Sequence, residues 1–269
     1  MNKRRNTWLP SALALTGIFA LSLGFAAPAQ AQAPAGPCAA LVITGHPSYP
    51  PVAWAAEGKI IGAAASFVGG IAARLGVKDV TSKDFGSWEA AQAAARDGAA
   101  DVIFGIYRND ARAAYLDYVE PPFMMDPVSI VVRKGAGFGF AEWSDLKGRK
   151  GVTNTGESYG DKFDAFMAKE LTVTRAAGVD KTFAALLDRQ ADYMIIGMYP
   201  GRDVARKLGL ADKVEFLPKE LVSASMYVAF SKKSKCGALR SGFASAIEAA
   251  VKAGAMHPLL DAADKSLAR

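Results

Sequence analysis

Apolar and polar positions along this chain follow two alternating rhythms. Short apolar or β-branched runs are each followed by stretches in which apolar residues recur every three or four positions. The first pattern fits buried strands, the second amphipathic helices, and their alternation predicts an α/β fold. A strand is expected over 39–44, ending in the turn Gly45-His46-Pro47-Ser48-Tyr49-Pro50-Pro51. Glu57-Gly58-Lys59 reads as a tight turn, since glycine accepts a positive φ cheaply. Helices are expected over 63–75 and 88–96, closed by Gly76 and Gly98, then a strand over 102–106. The β-branched run 128–132 and a glycine-rich stretch, 135–139, introduce a second series. It comprises a helix near 142–146, a strand near 151–153, helices over 159–171 and 182–189, a strand over 193–196 and a helix over 202–208. A last strand over 224–230 precedes two helices, 238–253 and 258–267.

The N-terminus changes the reading of the composition. Lys3, Arg4 and Arg5 precede an apolar run over 13–25, and Ala29-Gln30-Ala31 supplies a small-x-small cleavage site. This is the pattern of a signal peptide, residues 1–31, for export to the periplasm. The apolar run is too short to span a bilayer comfortably. Removing those three basic residues halves the formal charge from +6 to +3. No basic run interleaved with aromatics remains, so nucleic acid is not indicated as a partner. The remaining length suits one large domain or two smaller ones.

Cys38 and Cys236 are the only two cysteines, near opposite ends of the exported chain. In an oxidising compartment they fit one disulfide, with two buried free thiols as the alternative. A lipoprotein anchor at Cys38 is poorly supported, because Ala35-Gly36-Pro37 lies outside the apolar run.

The stretch from Ala100 to Arg112, A-D-V-I-F-G-I-Y-R-N-D-A-R, carries the candidate chemistry. A strand running into a polar turn is where open α/β sheets gather ligands. Gly105 permits close approach to the backbone, while Tyr107, Asn109 and Arg112 supply a ring, an amide and a guanidinium fork. That fork suits bidentate capture of a carboxylate. A strand-end arginine paired to a neighbouring acid is the plainer alternative.

Several separated motifs together resemble the bacterial extracellular solute-binding proteins of family 3, the polar amino-acid type. They are T-G-H-P-S-Y-P-P, E-G-K-I-I-G (57–62), the arginine stretch, and L-K-G-R-K-G-V-T-N-T-G-E-S-Y (146–159). The resemblance spans roughly 41–261 and implies a type II periplasmic-binding-protein fold. Two α/β lobes would be joined by two crossing hinge strands, with ligand held between them. Lobe 1 would comprise 32–127 plus 226–269, and lobe 2 128–225. Both cysteines would then lie in lobe 1, where a disulfide leaves the hinge free.

The resemblance also implies a ligand-binding set. Tyr49 and Trp88 match aromatics that pack on ligand, although Trp88 also reads as a core residue anchoring its helix. Gly105 and Tyr107 match positions that meet ligand, and Arg112 matches the arginine that pairs with the ligand carboxylate. Asn109 replaces a hydroxyl residue and is placed to cap the following helix. Gly156, Glu157, Ser158 and Tyr159 match a loop entering a helix, whose N–H groups and hydroxyl meet the carboxylate.

Two departures stand out. His46 occupies the place of a common aspartate. Gly197 stands where the family usually places the aspartate that holds the ligand's ammonium. Either Glu157 supplies that charge, or the ligand carries no α-ammonium. Tyr159 and Tyr199 are candidates to fill the cleft. The expected function is capture of a small, carboxylate-bearing, amino-acid-like ligand for an ABC importer in the inner membrane. The protein is expected to act as a monomer, without cofactor or metal and without catalysis. The rival readings are a binding fold serving a periplasmic enzyme or sensor, and a dehydratase on the same fold. Against the dehydratase stand the absence of a metal-ligand cluster or nucleophile elbow and a supply of only two histidines, His46 and the distal His257.

Overall fold

A computed structural model describes residues 38–267. The signal peptide expected over 1–31 lies outside the described residues. The chain opens with β1 (Ala40–Thr44), then a small antiparallel sheet of β2 (Ser48–Tyr49), β3 (Ala53–Ala56) and β4 (Lys59–Ile61). Glu57 and Gly58, both at positive φ (50° and 75°), make the turn between β3 and β4, as the expected tight turn requires. Next come α1 (Ala63–Arg74), β5 (Asp79–Ser82), α2 (Trp88–Asp97), β6 (Val102–Ile106) and α3 (Asp110–Ala113). The long strand β7 (Leu116–Arg133) leads into β8 (Lys150–Asn154), α4 (Asp161–Glu170), β9 (Thr172–Ala176) and α5 (Val179–Leu187). β10 (Tyr193–Gly197), α6 (Met198–Lys207), β11 (Val214–Phe216) and β12 (Val222–Ser231) follow, then α7 (Arg240–Lys252) and α8 (Met256–Leu267).

The main sheet runs β5-β1-β6-β12-β7-β10-β8-β9, with β11 also on β7. Its two parallel ends, β5-β1-β6 and β10-β8-β9, are joined through the antiparallel pair β7 and β12. The first half of β7 (Leu116–Val119) pairs with Val228–Ser231, and the second (Met124–Val128) with Val222–Met226. The ladder is interrupted between them, where the register shifts at Met226/Val228. Pro121 and Pro122, which lack amide donors, fall in that gap. The sequence pattern marks only the β-branched second half of β7, because the prolines argue against a continuous strand.

Burial explains the other differences from the expected pattern. β5 and β9 have no fully buried residue and so show no apolar run. The expected helix near 142–146 is one 3₁₀ turn, Trp143–Leu146. The helix expected from 159 starts at Asp161, because Tyr159 turns inward and its hydroxyl donates to the Ile195 carbonyl (3.0 Å).

Each end of the sheet has its own apolar filling. Val152, Phe183, Leu186, Met194 and Ile196 pack together at the β10-β8-β9 end. Trp88, Ala91, Ala95, Ile103 and Ile106 fix α2 against β6. Cys38 and Cys236 form a disulfide, tying the residue before β1 to the segment after β12. It closes a span of 198 residues. In the loop-entropy model that contributes at most ~5 kcal/mol. No helix among the described residues is long and apolar enough to cross a membrane.

Candidate functional site

The strands of both ends point their loops at one junction beside the middle of β7. From the first end come His46 after β1, Tyr49 on β2, Trp88 opening α2, and Gly105 to Arg112 at the end of β6. The loop between β8 and α4 brings Gly156 to Tyr159, and the end of β10 brings Gly197. These are twelve of the expected site residues.

Arg112 is held by local geometry. Asn109 is the N-cap of α3, its side-chain oxygen accepting from the Arg112 N–H (2.7 Å), which is the capping role expected of it. Arg112 is only 4% exposed. Its Nε donates to Gln92 Oε1 (3.0 Å), Nη1 to the Tyr107 carbonyl (2.9 Å) and Nη2 to the Gly156 carbonyl across the junction (3.0 Å). Gln92 Nε2 donates to the same Gly156 carbonyl (3.2 Å), and the guanidinium lies 5.6 Å from the Trp88 ring. Among the described residues no carboxylate comes within ion-pair distance of Arg112. A structural ion pair is therefore not what occupies this arginine.

The β8–α4 loop is organised around Asp164. Its carboxylate accepts from the Ser158 hydroxyl and from the Tyr159 N–H (2.8 Å). Ser158 Oγ in turn accepts from Asn109 Nδ2 across the junction (2.6 Å). Gly156 adopts φ +83°, and a Cβ there would come within 3.0 Å of Glu89 and 3.3 Å of Trp88. Tyr159 is buried, bonded through its hydroxyl to Thr153 and Ile195.

His46 accepts from the Ser48 N–H at Nδ1 (2.9 Å), so the ring proton resides on Nε2. That atom lies 3.2 Å from Glu157 Oε1, off the line of a hydrogen bond. The ring also faces Tyr49 and Trp88, at 5.3 and 5.1 Å between centroids. Trp88 serves its helix core and the junction at once, and its buried Nε1 has no protein partner.

Asp126 is the junction residue that sequence reasoning missed. It sits on β7, fully buried, and its Oδ2 accepts from the hydroxyls of Tyr49 and Tyr107. Those hydroxyls are also 2.7 Å from each other. Burial pushes Asp126 up to about 7, the tyrosine hydrogen bonds oppose this, and the Glu157 charge adds to it. Burial also raises both phenols well above their ordinary range. The upward shift favours the neutral form of Asp126. Asp126 Oδ1 is buried without a partner. The available signal was one acidic residue in an otherwise apolar run, F-M-M-D-P-V-S-I-V-V. Gln92 gave no comparable signal within its alanine-rich helix.

Gly197 is small for reasons of space. A Cβ there would lie 1.8 Å from the Tyr49 hydroxyl and 2.8 Å from Asp126 Oδ2. Gly197→Ala is therefore expected to lower stability by about 1–3 kcal/mol through overpacking, as read by urea denaturation; an unchanged midpoint would show that Tyr49 moves freely. Tyr199 is not brought to the junction. It lies on the first turn of α6, facing a groove formed with Pro121 to Met125 and α8.

Two α/β ends joined by a pair of long crossing strands, with polar loops meeting at the junction, define a two-lobed binding-protein fold. The chain belongs to the bacterial extracellular solute-binding proteins, family 3, which it matches over residues 41–262. Among solved structures it is similar to AbpA, an amino-acid ABC transporter substrate-binding protein from Streptococcus pneumoniae bound to L-arginine. Identity is 19%, over 85% of this chain and 96% of that one, with a TM-score of 0.68. A mutant of ArgBP from T. maritima shares 20% identity over 84% and 96% of the two chains, with a TM-score of 0.67. A histidine kinase sensor domain with similarity to periplasmic binding proteins shares 22% identity over 82% and 93%, also at 0.67. No curated protein matches the chain in sequence.

Proposed function

We propose that this protein is a periplasmic solute-binding protein that captures a small carboxylate-bearing, amino-acid-like molecule at the junction and delivers it to an ABC importer. The supporting observation is Arg112, a buried cation with no carboxylate within ion-pair distance among the described residues. Burying a charge without a counter-charge is costly, and an anionic ligand would complete it. The three bonds to Gln92, Tyr107 and Gly156 leave two of the five guanidinium N–H donors uncommitted. The ligand-binding set is His46, Tyr49, Trp88, Gly105, Tyr107, Asn109, Arg112 and Gly156 to Tyr159, with Gly197 lining it. Residues 32–127 with 226–269 form lobe 1 and 128–225 lobe 2; the protein acts as a monomer and by binding, not catalysis.

A second reading is favoured by one observation. The junction is tied by the chain's own groups, Arg112 to Gly156 and Asn109 to Ser158. Such self-closure suits a binding fold that serves a periplasmic sensor or enzyme, and one structural neighbour is a kinase sensor domain. Thermal-shift measurement against small carboxylates and their uncharged amides separates the two. Under the first reading at least one carboxylate raises the melting temperature and its amide does not. No response to any carboxylate would favour the second.

A further inference from the structure

Gln92 is the one polar side chain on the buried face of α2, where its companions are Trp88, Ala91, Ala94 and Ala95. It is only 7% exposed, and a buried amide is costly unless its groups are paired. Both ends are paired. Oε1 accepts from Arg112 Nε (3.0 Å). Nε2 donates to the Trp88 carbonyl one helical turn back and to the Gly156 carbonyl of the β8–α4 loop (both 3.2 Å). Turning the amide over would set its NH2 group against the Arg112 N–H and its oxygen against two carbonyls, so a single orientation is allowed. Gly156 leaves the space for it, because a Cβ there would come within 3.2 Å of Nε2.

The acceptors that hold the Arg112 guanidinium are Gln92 Oε1, the Tyr107 carbonyl and the Gly156 carbonyl. Each of them is neutral, and Gln92 is the only one that acts through its side chain. Position 92 therefore decides whether this arginine keeps its charge. A glutamate would bond Nε as well and cancel the cation. A leucine would leave the charge but remove the acceptor that holds the fork. We propose that Gln92 is a positioning residue for anion capture: it orients the Arg112 guanidinium through Nε without neutralising it, so that a carboxylate meets a fixed fork at full charge. This rests on the reading of the junction as a carboxylate-binding cleft. The same amide reaches the opposite loop at Gly156, so the fork is fixed in the arrangement in which the two sides of the junction meet.

Two substitutions in the whole exported chain separate holding from neutrality. Gln92→Leu removes the holder and keeps the charge, whereas Gln92→Glu keeps the holder and cancels the charge. Nitrogen-15 NMR without added ligand reads the holding. The Arg112 Nε–H signal, identified by its loss in Arg112→Lys, should exchange with solvent at least about tenfold faster in Gln92→Leu than in wild type. Calorimetry reads the neutrality. Its probes are the common L-amino acids, acetate, succinate and benzoate, each beside the compound with its carboxylate converted to a primary amide. For the tightest binder, wild type should prefer the carboxylate by at least about tenfold. Gln92→Glu should erase that preference, although urea denaturation finds it no less stable than Gln92→Leu. A merely structural glutamine would weaken acid and amide alike, in step with stability. A preference kept in Gln92→Glu, or an Arg112 Nε–H unmoved in Gln92→Leu, would overturn the proposal while leaving the carboxylate cleft standing. The NMR comparison stands even where Gln92→Glu does not fold. If no carboxylate of the panel binds wild type, the cleft reading fails and the positioning role fails with it.

Discussion

Arg112→Ala is expected to weaken carboxylate binding by roughly 30-fold to several thousand-fold. That range corresponds to the 2–5 kcal/mol lost when one partner of a buried charged pair is truncated. Calorimetry on the variant measures it, and undiminished affinity would remove Arg112 from the binding site. The substitution should also cost stability, about 1–3 kcal/mol in urea denaturation. The loss is moderate because two of the three acceptors keep another donor. The Tyr107 carbonyl still receives the Tyr118 hydroxyl (3.1 Å), and the Gly156 carbonyl still receives Gln92 Nε2. Only Gln92 Oε1 is left without its partner. Arg112→Lys keeps the charge, but one ammonium cannot span acceptors arranged for a planar fork. It should therefore bind ligand weakly as well.

The second large effect concerns pH. Asp126 titrates near 3.8 in an unfolded chain and about 7 when folded. Between those values the folded chain holds a proton that the unfolded chain has released. Stability from this group is thus fully present below the lower value and is lost as pH rises through the upper one. The total change is about 4 kcal/mol. Asp126→Asn mimics the protonated acid in charge, and its amide oxygen can still accept from both tyrosines where Oδ2 does. The variant should match wild type in denaturation only below about pH 4, exceed it modestly at pH 5 and exceed it by a few kcal/mol at pH 8. Parallel stability curves across pH 5–8 would show that Asp126 ionises without cost, and a burial-raised carboxyl would be abandoned.

The α/β alternation and the family were legible because the buried strands β1, β6, β8 and β10 carry dense apolar runs. The loops around Tyr49, Arg112 and Ser158 could be located from the glycines and turn residues that shape them. Asp126 was not legible, because its role depends on β7 carrying it past the prolines to the junction. Periodicity says nothing about where an isolated acid will point. Gly197 was visible as a departure, but its cause, the Tyr49 hydroxyl pressing against it, exists only in three dimensions. Tyr199 illustrates the reverse error of proximity. Two residues after Gly197 in sequence, it is turned by the first turn of α6 towards a different face.

The gap in the β7–β12 ladder at Pro121 and Pro122 has a consequence for how tightly this protein can be tuned. A strand pair bends cheaply where it has no hydrogen bonds to give up. The hinge then adds little to the free-energy difference between open and shut forms, and the junction contacts set most of it. Substitutions at Gln92, which reaches the Gly156 carbonyl across the junction and lies outside the ligand-binding set, would shift apparent affinity by changing how often the lobes meet. Selection could thus match this protein to a new ligand concentration while leaving its recognition chemistry unaltered.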